Sequence, residues 1–435
     1  MEKTAKKVCI ISLGCDKNRV DTENILYYLG KGGYIATNDM GDADIIIVNT
    51  CAFITAAEKE AIDTVFEAAW YKGHGKCKTL VVAGCLPMRY REKLAELLPE
   101  VDCFVGMNDY ADICAIIERK ERINLCGNYI QTSKRVLSTP PHYAYLKIAD
   151  GCDNHCTYCT IPSIRGKYKS RTSDSLLEEA AYLDDMGVKE LIIVAQDVTR
   201  YGYDICGEYL LVSLLKRLLN ECSFEKIRLL YCYPELVSDE LIDLIASEDR
   251  IANYIDVPLQ HINDQVLRRM GRRTNSEQIK TLFDKLKARG IAIRTTFIVG
   301  FPGETDEQFK ELTEFVHNYK PEHAGVFAYS KEDSTPAARM KDQIPVRIKR
   351  KRADELGKII ESLAEERNAS LVGNVIKVIY EDIDYDRKMF VGRTEADAPG
   401  IDGLVYFNGD FCEVGSVYAV KITGYDGYDL IGEKV

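Results

Sequence analysis

The sequence predicts an α/β protein of three parts: an N-terminal parallel-sheet domain, a central partial barrel of six strand-plus-helix units, and a small antiparallel β-barrel at the C-terminus. Three observations predict it. Short, wholly apolar strands alternate with helical stretches through the first ~120 residues, the pattern of a parallel sheet covered on both faces. The alternation resumes from Tyr143 to about Tyr329, with polar and glycine-rich residues at the strand ends. From about Leu371 it gives way to short β segments broken by turns. A chain of 435 residues can give each part its own core.

The elements follow in order. "KVCIISLGC" reads as a strand ending at Cys15, with a helical stretch from Asp21 to Gly30. "ADIIIVNTC" is a second strand, ending at Cys51, with a helix from about Ala56 to Trp70. "KTLVVAGC" is a third, ending at Cys85, and "VDCFVG" a weaker fourth. A polar segment, "NYIQTSKRVLSTPPHY", separates this unit from the next. The barrel strands are "YAYLKIA", "ELIIVAQD", "KIRLLYCYP", "NYIDVPLQH", "IAIRTTFIVGFPG" and "HAGVFAYS". A charged helical linker, "RIKRKRADELGKIIESLAEERNAS", leads to the terminal β-domain. The expected domains are 1–125, 138–368 and 370–435.

Hydrophobic content of 46% and charged content of 29% are those of a soluble globular protein. The apolar run near the N-terminus covers only Val8 to Leu13, too short for a signal-peptide core or a membrane span. A cytoplasmic protein without membrane partners is expected. Its 15 cysteines are then reduced, most of them buried as small apolar residues and a minority binding metal. The net charge of −11 disfavours a general nucleic-acid coat and suits a basic partner.

Three cysteines fall together in "ADGCDNHCTYCTIPSIRG", spaced C-x3-C-x2-C through Cys152, Cys156 and Cys159. They follow the first barrel strand and so lie on a loop at the C-terminal mouth, where barrel active sites sit. Closely spaced thiolates favour an iron–sulfur cluster or zinc. Zinc needs a fourth ligand, and His155 sits badly for it between flanking cysteines. The other reading is a [4Fe–4S] cluster on three thiolates, its fourth iron left open for substrate or cofactor.

This spacing after the first strand of a partial barrel, with Tyr158 just before the last cysteine, resembles the radical S-adenosylmethionine superfamily. The resemblance implies that S-adenosylmethionine chelates the open iron and is cleaved to methionine and a 5′-deoxyadenosyl radical. The cofactor supplies that chemistry, and the protein positions it. "FIVGFPGET", after the fifth strand, resembles the superfamily's cofactor-binding segment, with Gly300 and Gly303 letting the backbone approach a ligand. Tyr158 and Gln260 are further expected cofactor contacts; a capping role for Gln260 is the alternative.

Cys15, Cys51 and Cys85 are far apart in sequence, yet each ends an apolar strand of the first domain. All C-terminal strand ends of a parallel sheet lie on one edge, so the three thiols are placed to converge on a second three-thiolate cluster. The ordinary alternative is three separate buried thiols. "SLGCDKNRVDTE", "VNTCAF" and "AGCLPMRY" resemble the three cysteine segments of the methylthiotransferase N-terminal domain. With the radical core and a terminal β-domain expected to be TRAM-like, the resemblance covers nearly the whole chain. "SLGC-KN-VD-E", "IPSIRGKYKSR" and "VAQDVTRYG" are similar to the branch that modifies the twelfth protein of the small ribosomal subunit. The sequence departs from that branch at Asp16 and Thr22, where proline and serine are usual.

The resemblance implies methylthiolation of the β-carbon of an aspartate on that ribosomal protein, with two [4Fe–4S] clusters, S-adenosylmethionine, and an electron donor such as flavodoxin or ferredoxin. The sulfur donor is not legible. The rivals are a sibling acting on an adenine of transfer RNA and a non-catalytic iron–sulfur electron carrier. Residues 370–435 carry six Lys/Arg against twelve Asp/Glu, so nucleic acid contact stays open but disfavoured. Cys9, Cys77, Cys103, Cys114, Cys126, Cys206, Cys222, Cys232 and Cys412 are expected to be structural. Arg165, Lys167, Lys169 and Arg171 are expected to form a solvated basic face, or a site for the cofactor carboxylate or an acidic side chain.

Overall fold

The structure, a computed structural model, describes residues 5–107, 110–125 and 132–435. It divides into two compact units. The first comprises Met1–Ser138, Tyr145–Asp153 and Cys159–Tyr182; the second comprises Thr139–Ala144, Asn154–Tyr158 and Leu183–Val435. Cys126 lies outside the described residues.

The first unit is built on a six-stranded parallel sheet. Its strands are β1 (Lys7–Ser12), β2 (Ile35–Ala36), β3 (Ile45–Thr50), β4 (Thr79–Gly84), β5 (Cys103–Val105) and β6 (Ile123–Asn124), in the order β2-β1-β3-β4-β5-β6. β3 and β4 are buried along their whole length, which is why they read as unbroken apolar runs. The winding reverses between β1 and β3, a switch point whose crevice opens beyond the C-terminal strand ends. Each strand stops just short of its cysteine: β1 at Ser12, β3 at Thr50, β4 at Gly84. The first helix, Asp16–Lys31, starts five residues before its expected position, with Cys15 as its N-cap.

β7 (Tyr143–Lys147) begins in the second unit and ends in the first, which also holds β8 (Ala149–Asp150) antiparallel to β9 (Lys169–Ser170). The second unit continues with β10 (Glu190–Val194), β11 (Lys226–Leu229), β12 (Tyr254–Asp256), β13 (Ala292–Val299) and β14 (His323–Ala328). With β7 these are the six expected barrel strands, in two sheets ordered β11-β10-β7 and β12-β13-β14, with β10–β11, β12–β13 and β13–β14 parallel. Beside β11 and β12 the chain pairs through the isolated Ile227–Ile251 bridge and the Cys232 N–Asp256 O bond at 2.8 Å, while the Tyr231 amide donates to the Asp256 carboxylate at 2.9 Å.

The linker helix runs Val346–Leu371 and leads to a closed barrel of β15 (Val375–Asp384), β16 (Met389–Arg393), β17 (Val405–Asn408), β18 (Val417–Asp426) and β19 (Asp429–Lys434). Four pairings are antiparallel, as expected, and β17–β19 is parallel. Five strands cannot alternate direction around a closed ring, so one parallel pair is unavoidable. Val378, Phe407, Val420 and Ile422 fill its core.

Buried charge fixes this small barrel to the N-terminal ends of the central strands. Glu190 accepts from Arg228 at 2.7 Å and from Arg393, and Asp402 accepts from Tyr254 at 2.8 Å and Arg294 at 3.1 Å. Burial alone would raise the Glu190 carboxyl, but Arg393 and Arg228 overcome it and hold the group at about 2.

Candidate functional site

Cys15, Cys51 and Cys85 come together at the switch point of the first sheet. A Cβ built on Gly14 would lie 2.7 Å from Cys51 Cβ and 3.0 Å from its Sγ, so the residue before Cys15 touches Cys51 directly. A Cβ on Gly84 would lie 2.4 Å from Asn49 Oδ1 and 2.7 Å from the Thr50 carbonyl. Both glycines hold positive φ, 92° and 90°, and this leaves room for neighbouring cysteine segments to close up. Thr50 braces two of them, its hydroxyl donating to Ala83 O at 2.6 Å and accepting from Leu86 N at 3.1 Å.

The three thiols feel one another. Burial raises Cys51, and the neighbouring Cys15 raises it further. Burial pushes Cys85 up to about 12, with Arg165 opposing and both other cysteines adding to the rise. Cys15 is exposed and Cys51 half-buried, so the group opens outward. Among the described residues, no three His, Cys, Asp or Glu side chains close around a single metal ion. An iron–sulfur cluster asks something different, since each thiolate binds its own iron and the sulfurs stand further apart. Three neighbouring thiols at one sheet edge, with an open side, fit such a cluster.

The second cysteine set lies on the loop after β7 and β8. Cys152 donates its backbone N–H to Gly166 O at 3.1 Å in the first unit. Within the second unit, Cys156 Sγ lies 2.9 Å from the Tyr233 hydroxyl, and the Arg272 guanidinium sits 4.0 Å over the Tyr233 ring. Burial drives the Tyr233 hydroxyl up; Arg272 opposes it and Cys156 reinforces it. The tyrosine therefore keeps its proton and can give it as a hydrogen bond to the sulfur. Asn154 donates to Asp197 at 2.7 Å, and Thr157 is pinned to Met270 O and Arg269 O at 2.9 and 2.7 Å. Cys159 is half-buried. His155, the nearest imidazole for a zinc site, is exposed.

Tyr158 packs among Met270, Phe301 and Tyr329, its ring edge-on to Phe301 at 6.5 Å. That contact brings it to the Gly300–Gly303 turn. Both glycines have positive φ, and added Cβ atoms would meet Lys349 Cγ at 2.5 Å and Arg269 Nη1 at 2.4 Å. Packing therefore demands glycine at both places whether or not a ligand does. Gln260 continues the β12–β13 pairing beyond β12, donating to Thr296 O and accepting from Ile298 N, both at 2.8 Å. It does so at φ 74°, one of three non-glycine residues with positive φ at the mouth, beside His155 and Tyr231. Strained backbone of this kind gathers at functional sites.

The basic run splits. Lys167 and Lys169 are exposed as expected. Arg165 and Arg171 are instead buried in ion pairs, Arg165 with Asp150 at 2.8 Å and Asp21 at 3.2 Å, Arg171 with Glu179. Cys206 is exposed rather than structural and buried; Cys9, Cys77, Cys103, Cys222, Cys232 and Cys412 are buried as expected, and Cys114 half-buried. Tyr233 and Arg272 escaped the sequence reading, and Asn18 and Asp197 fell within its quoted motifs without a role of their own.

Residues 146–316 match the model of the Radical SAM superfamily, residues 7–106 that of protein family UPF0004, and residues 372–435 that of the TRAM domain. The ribosomal protein uS12 methylthiotransferase RimO of Clostridium tetani is 48% identical, over 99% of this chain and 98% of its own length. The enzyme of the same name from Trichlorobacter lovleyi is 46% identical over the full length of both. The chain belongs to the uS12 methylthiotransferase family. It is a radical S-adenosylmethionine enzyme of the methylthiotransferase class. Among solved structures, the radical S-adenosylmethionine methyltransferase TsrM of Kitasatospora setae, bound to cobalamin and a [4Fe–4S] cluster, shares the fold with a TM-score of 0.54 at 14% identity, over 77% of this chain and 74% of that one. The cobalamin-dependent OxsB shares it with a TM-score of 0.51 at 14% identity, over 82% of this chain and 56% of that one. Among the described residues, no helix is long and apolar enough to cross a membrane.

Proposed function

We propose that this chain methylthiolates ribosomal protein uS12 at the β-carbon of an aspartate, using S-adenosylmethionine and two [4Fe–4S] clusters. Cys152, Cys156 and Cys159 hold the first cluster, and Cys15, Cys51 and Cys85 the second. The observation that carries this reading is the meeting of three strand-end thiols at one switch point, in a chain that also bears the C-x3-C-x2-C loop. When bound, the clusters and S-adenosylmethionine supply a 5′-deoxyadenosyl radical and the transferable sulfur.

The chain's own residues position these groups. Tyr233, 2.9 Å away, is placed to donate to a cluster-bound Cys156 thiolate, and the Asn154–Asp197 and Thr157 bonds hold the cysteine loop in shape. Tyr158, Gln260, Gly300 and Gly303 line the cofactor's place at the mouth. The domains are taken as 1–125, 138–368 and 370–435. Reducing equivalents come from a carrier such as flavodoxin or ferredoxin, and the setting is the cytoplasm.

The test follows 5′-deoxyadenosine and methylthiolated uS12 in one reaction. Cys152→Ala, Cys156→Ala or Cys159→Ala abolishes both products. Cys15→Ala, Cys51→Ala or Cys85→Ala spares the first and eliminates the second. Methylthiolated transfer RNA in place of uS12 would transfer the assignment to the sibling activity. Absence of 5′-deoxyadenosine from the reduced, loaded parent would leave an electron carrier.

A further inference from the structure

Asn18 is buried on the first turn of the helix that follows Cys15. Its single carboxamide reaches all three cysteine segments of the first unit. Nδ2 donates to Leu13 O at 3.0 Å, two residues before Cys15, and to Thr50 O at 2.9 Å, immediately before Cys51. Oδ1 stands 3.7 Å from Cys85 Sγ. The Asn18 backbone carbonyl in turn accepts from Asn49 Nδ2 at 2.9 Å, locking the turn to β3.

Arg165 completes the arrangement. Its Nη2 donates to Asn18 Oδ1 at 2.5 Å and lies 3.7 Å from Cys85 Sγ. Its Nη1 forks onto the Asp150 carboxylate at 3.0 and 2.8 Å, and Lys147 closes the group by pairing with Asp21 at 2.5 Å and Asp150 at 3.1 Å. The Tyr110 hydroxyl, buried with no hydrogen-bond partner among the described residues, feels the same charges: Asp21, Arg165 and Cys85 all act on it. An amide has two donors and one accepting oxygen; here the nitrogen holds the Cys15 and Cys51 segments, and the oxygen accepts from Arg165 Nη2, the donor that reaches the Cys85 sulfur. A pin serving the fold alone would not need a guanidinium held against one sulfur.

We propose that Asn18 and Arg165 are positioning residues for the cluster site of Cys15, Cys51 and Cys85, Asn18 setting the spacing of the three sulfurs and Arg165 tuning the reduction potential through the Cys85 sulfur. The proposal rests on reading that triad as an iron–sulfur site. Hydrogen bonds to ligand sulfurs are among the levers that set cluster potentials, and a donor stabilises the more negative, reduced state.

The experiment uses the full-length chain with Cys152, Cys156 and Cys159 replaced by alanine, loaded with iron and sulfide. The readouts are iron per chain, the melting temperature, and the midpoint potential from an electron-paramagnetic-resonance redox titration. If this parent binds no iron, the reading of the triad fails and the proposal falls with it; failure of the proposal alone is read only from a loaded parent. Given a loaded parent, Asn18→Asp, which replaces the donating nitrogen with an oxygen facing two carbonyls, holds less than half the parent's iron. Arg165→Lys keeps the charge for Asp150 and Asp21, retains iron, and shifts the equilibrium tenfold toward the oxidised form, about 59 mV for one electron. Thr22→Val, which breaks the neighbouring Thr22–Ser12 and Asn49–Thr22 bonds without touching a cysteine segment through Asn18, keeps full iron. Should Asn18→Asp fail to fold, the uncharged Asn18→Ser is read in its place. Full iron in the Asn18 variant, an unmoved midpoint in Arg165→Lys, or equal iron loss in Thr22→Val overturns the proposal.

Discussion

His261 is wholly buried beside Gln260, and its Nδ1 accepts the Asn263 amide at 3.0 Å. Burial first, then Arg269 and Arg352, lowers its pKa to about 3. The folded chain therefore refuses a proton that the unfolded chain accepts near pH 6.5. Stability from this residue is full above that value and is lost as the pH falls toward 3. Between pH 7 and pH 5 the loss is roughly 2 kcal/mol. Urea unfolding at both pH values should show that slope in the native chain and a flatter one in His261→Gln. Equal slopes would mean that the imidazole is not the titrating group. The same two arginines hold the Gly300–Thr305 turn, Arg269 through Gly303 O at 2.9 Å and Arg352 through Glu304 at 3.0 Å.

That turn is an element pinned by one carboxylate. Glu304 accepts from Gly300 N at 2.6 Å, Phe301 N at 3.1 Å and Arg352 Nη1 at 3.0 Å, tying the end of β13 to the linker helix. Glu304→Ala leaves two buried amides and one arm of the Arg352 guanidinium without that acceptor while Asp306 still pairs the other, a change that costs about 1–3 kcal/mol. Chemical denaturation measures it, and a loss below about 1 kcal/mol would show that the pin is dispensable. "FIVGFPGET" advertised its glycines, but Glu304 owes its role to Arg352, 48 residues on, which no local pattern announces. The strands were legible because burial on both faces leaves unbroken apolar runs. The cysteines were legible because their spacing and strand-end positions are local properties. The start of the first helix was not: Lys17, Asn18 and Asp21 are buried, so its inward face is polar and apolar periodicity fails there. Asn18 and Tyr233 were missed for a related reason, since each meets its cysteine across 67 and 77 residues of chain.

Across the whole molecule, charge and placement separate docking from chemistry. The closed β-barrel is fixed by Glu190, Arg228, Tyr254 and Arg294, all near the N-terminal ends of the central strands, whereas the cysteine loop follows the C-terminal end of β7. A strand of five residues spans roughly 17 Å, so this domain meets a partner at a distance from the mouth. Its net charge is −6 over residues 370–435. Part of the acidity is internal, because Asp397 and the carboxylate of Asp402 are buried; Asp382 and Asp386 are exposed, beside Tyr385 at 80% exposure. Asp384 has local work, accepting from the Asp386 and Arg387 amides at 2.9 and 2.8 Å, so altering it would unmake the turn as well as the charge. An acidic surface repels a phosphate backbone and attracts a basic ribosomal protein. Affinity of the full chain for uS12 is therefore expected to fall as salt rises. Asp382→Lys with Asp386→Lys should weaken it several-fold, raising KM while S-adenosylmethionine cleavage and kcat hold. The same pair should leave the melting temperature unchanged, since neither side chain is buried. Tighter binding of transfer RNA than of uS12 at physiological salt by the unaltered chain would reverse the choice of partner. An unchanged KM in the double variant would move the docking surface elsewhere on the chain.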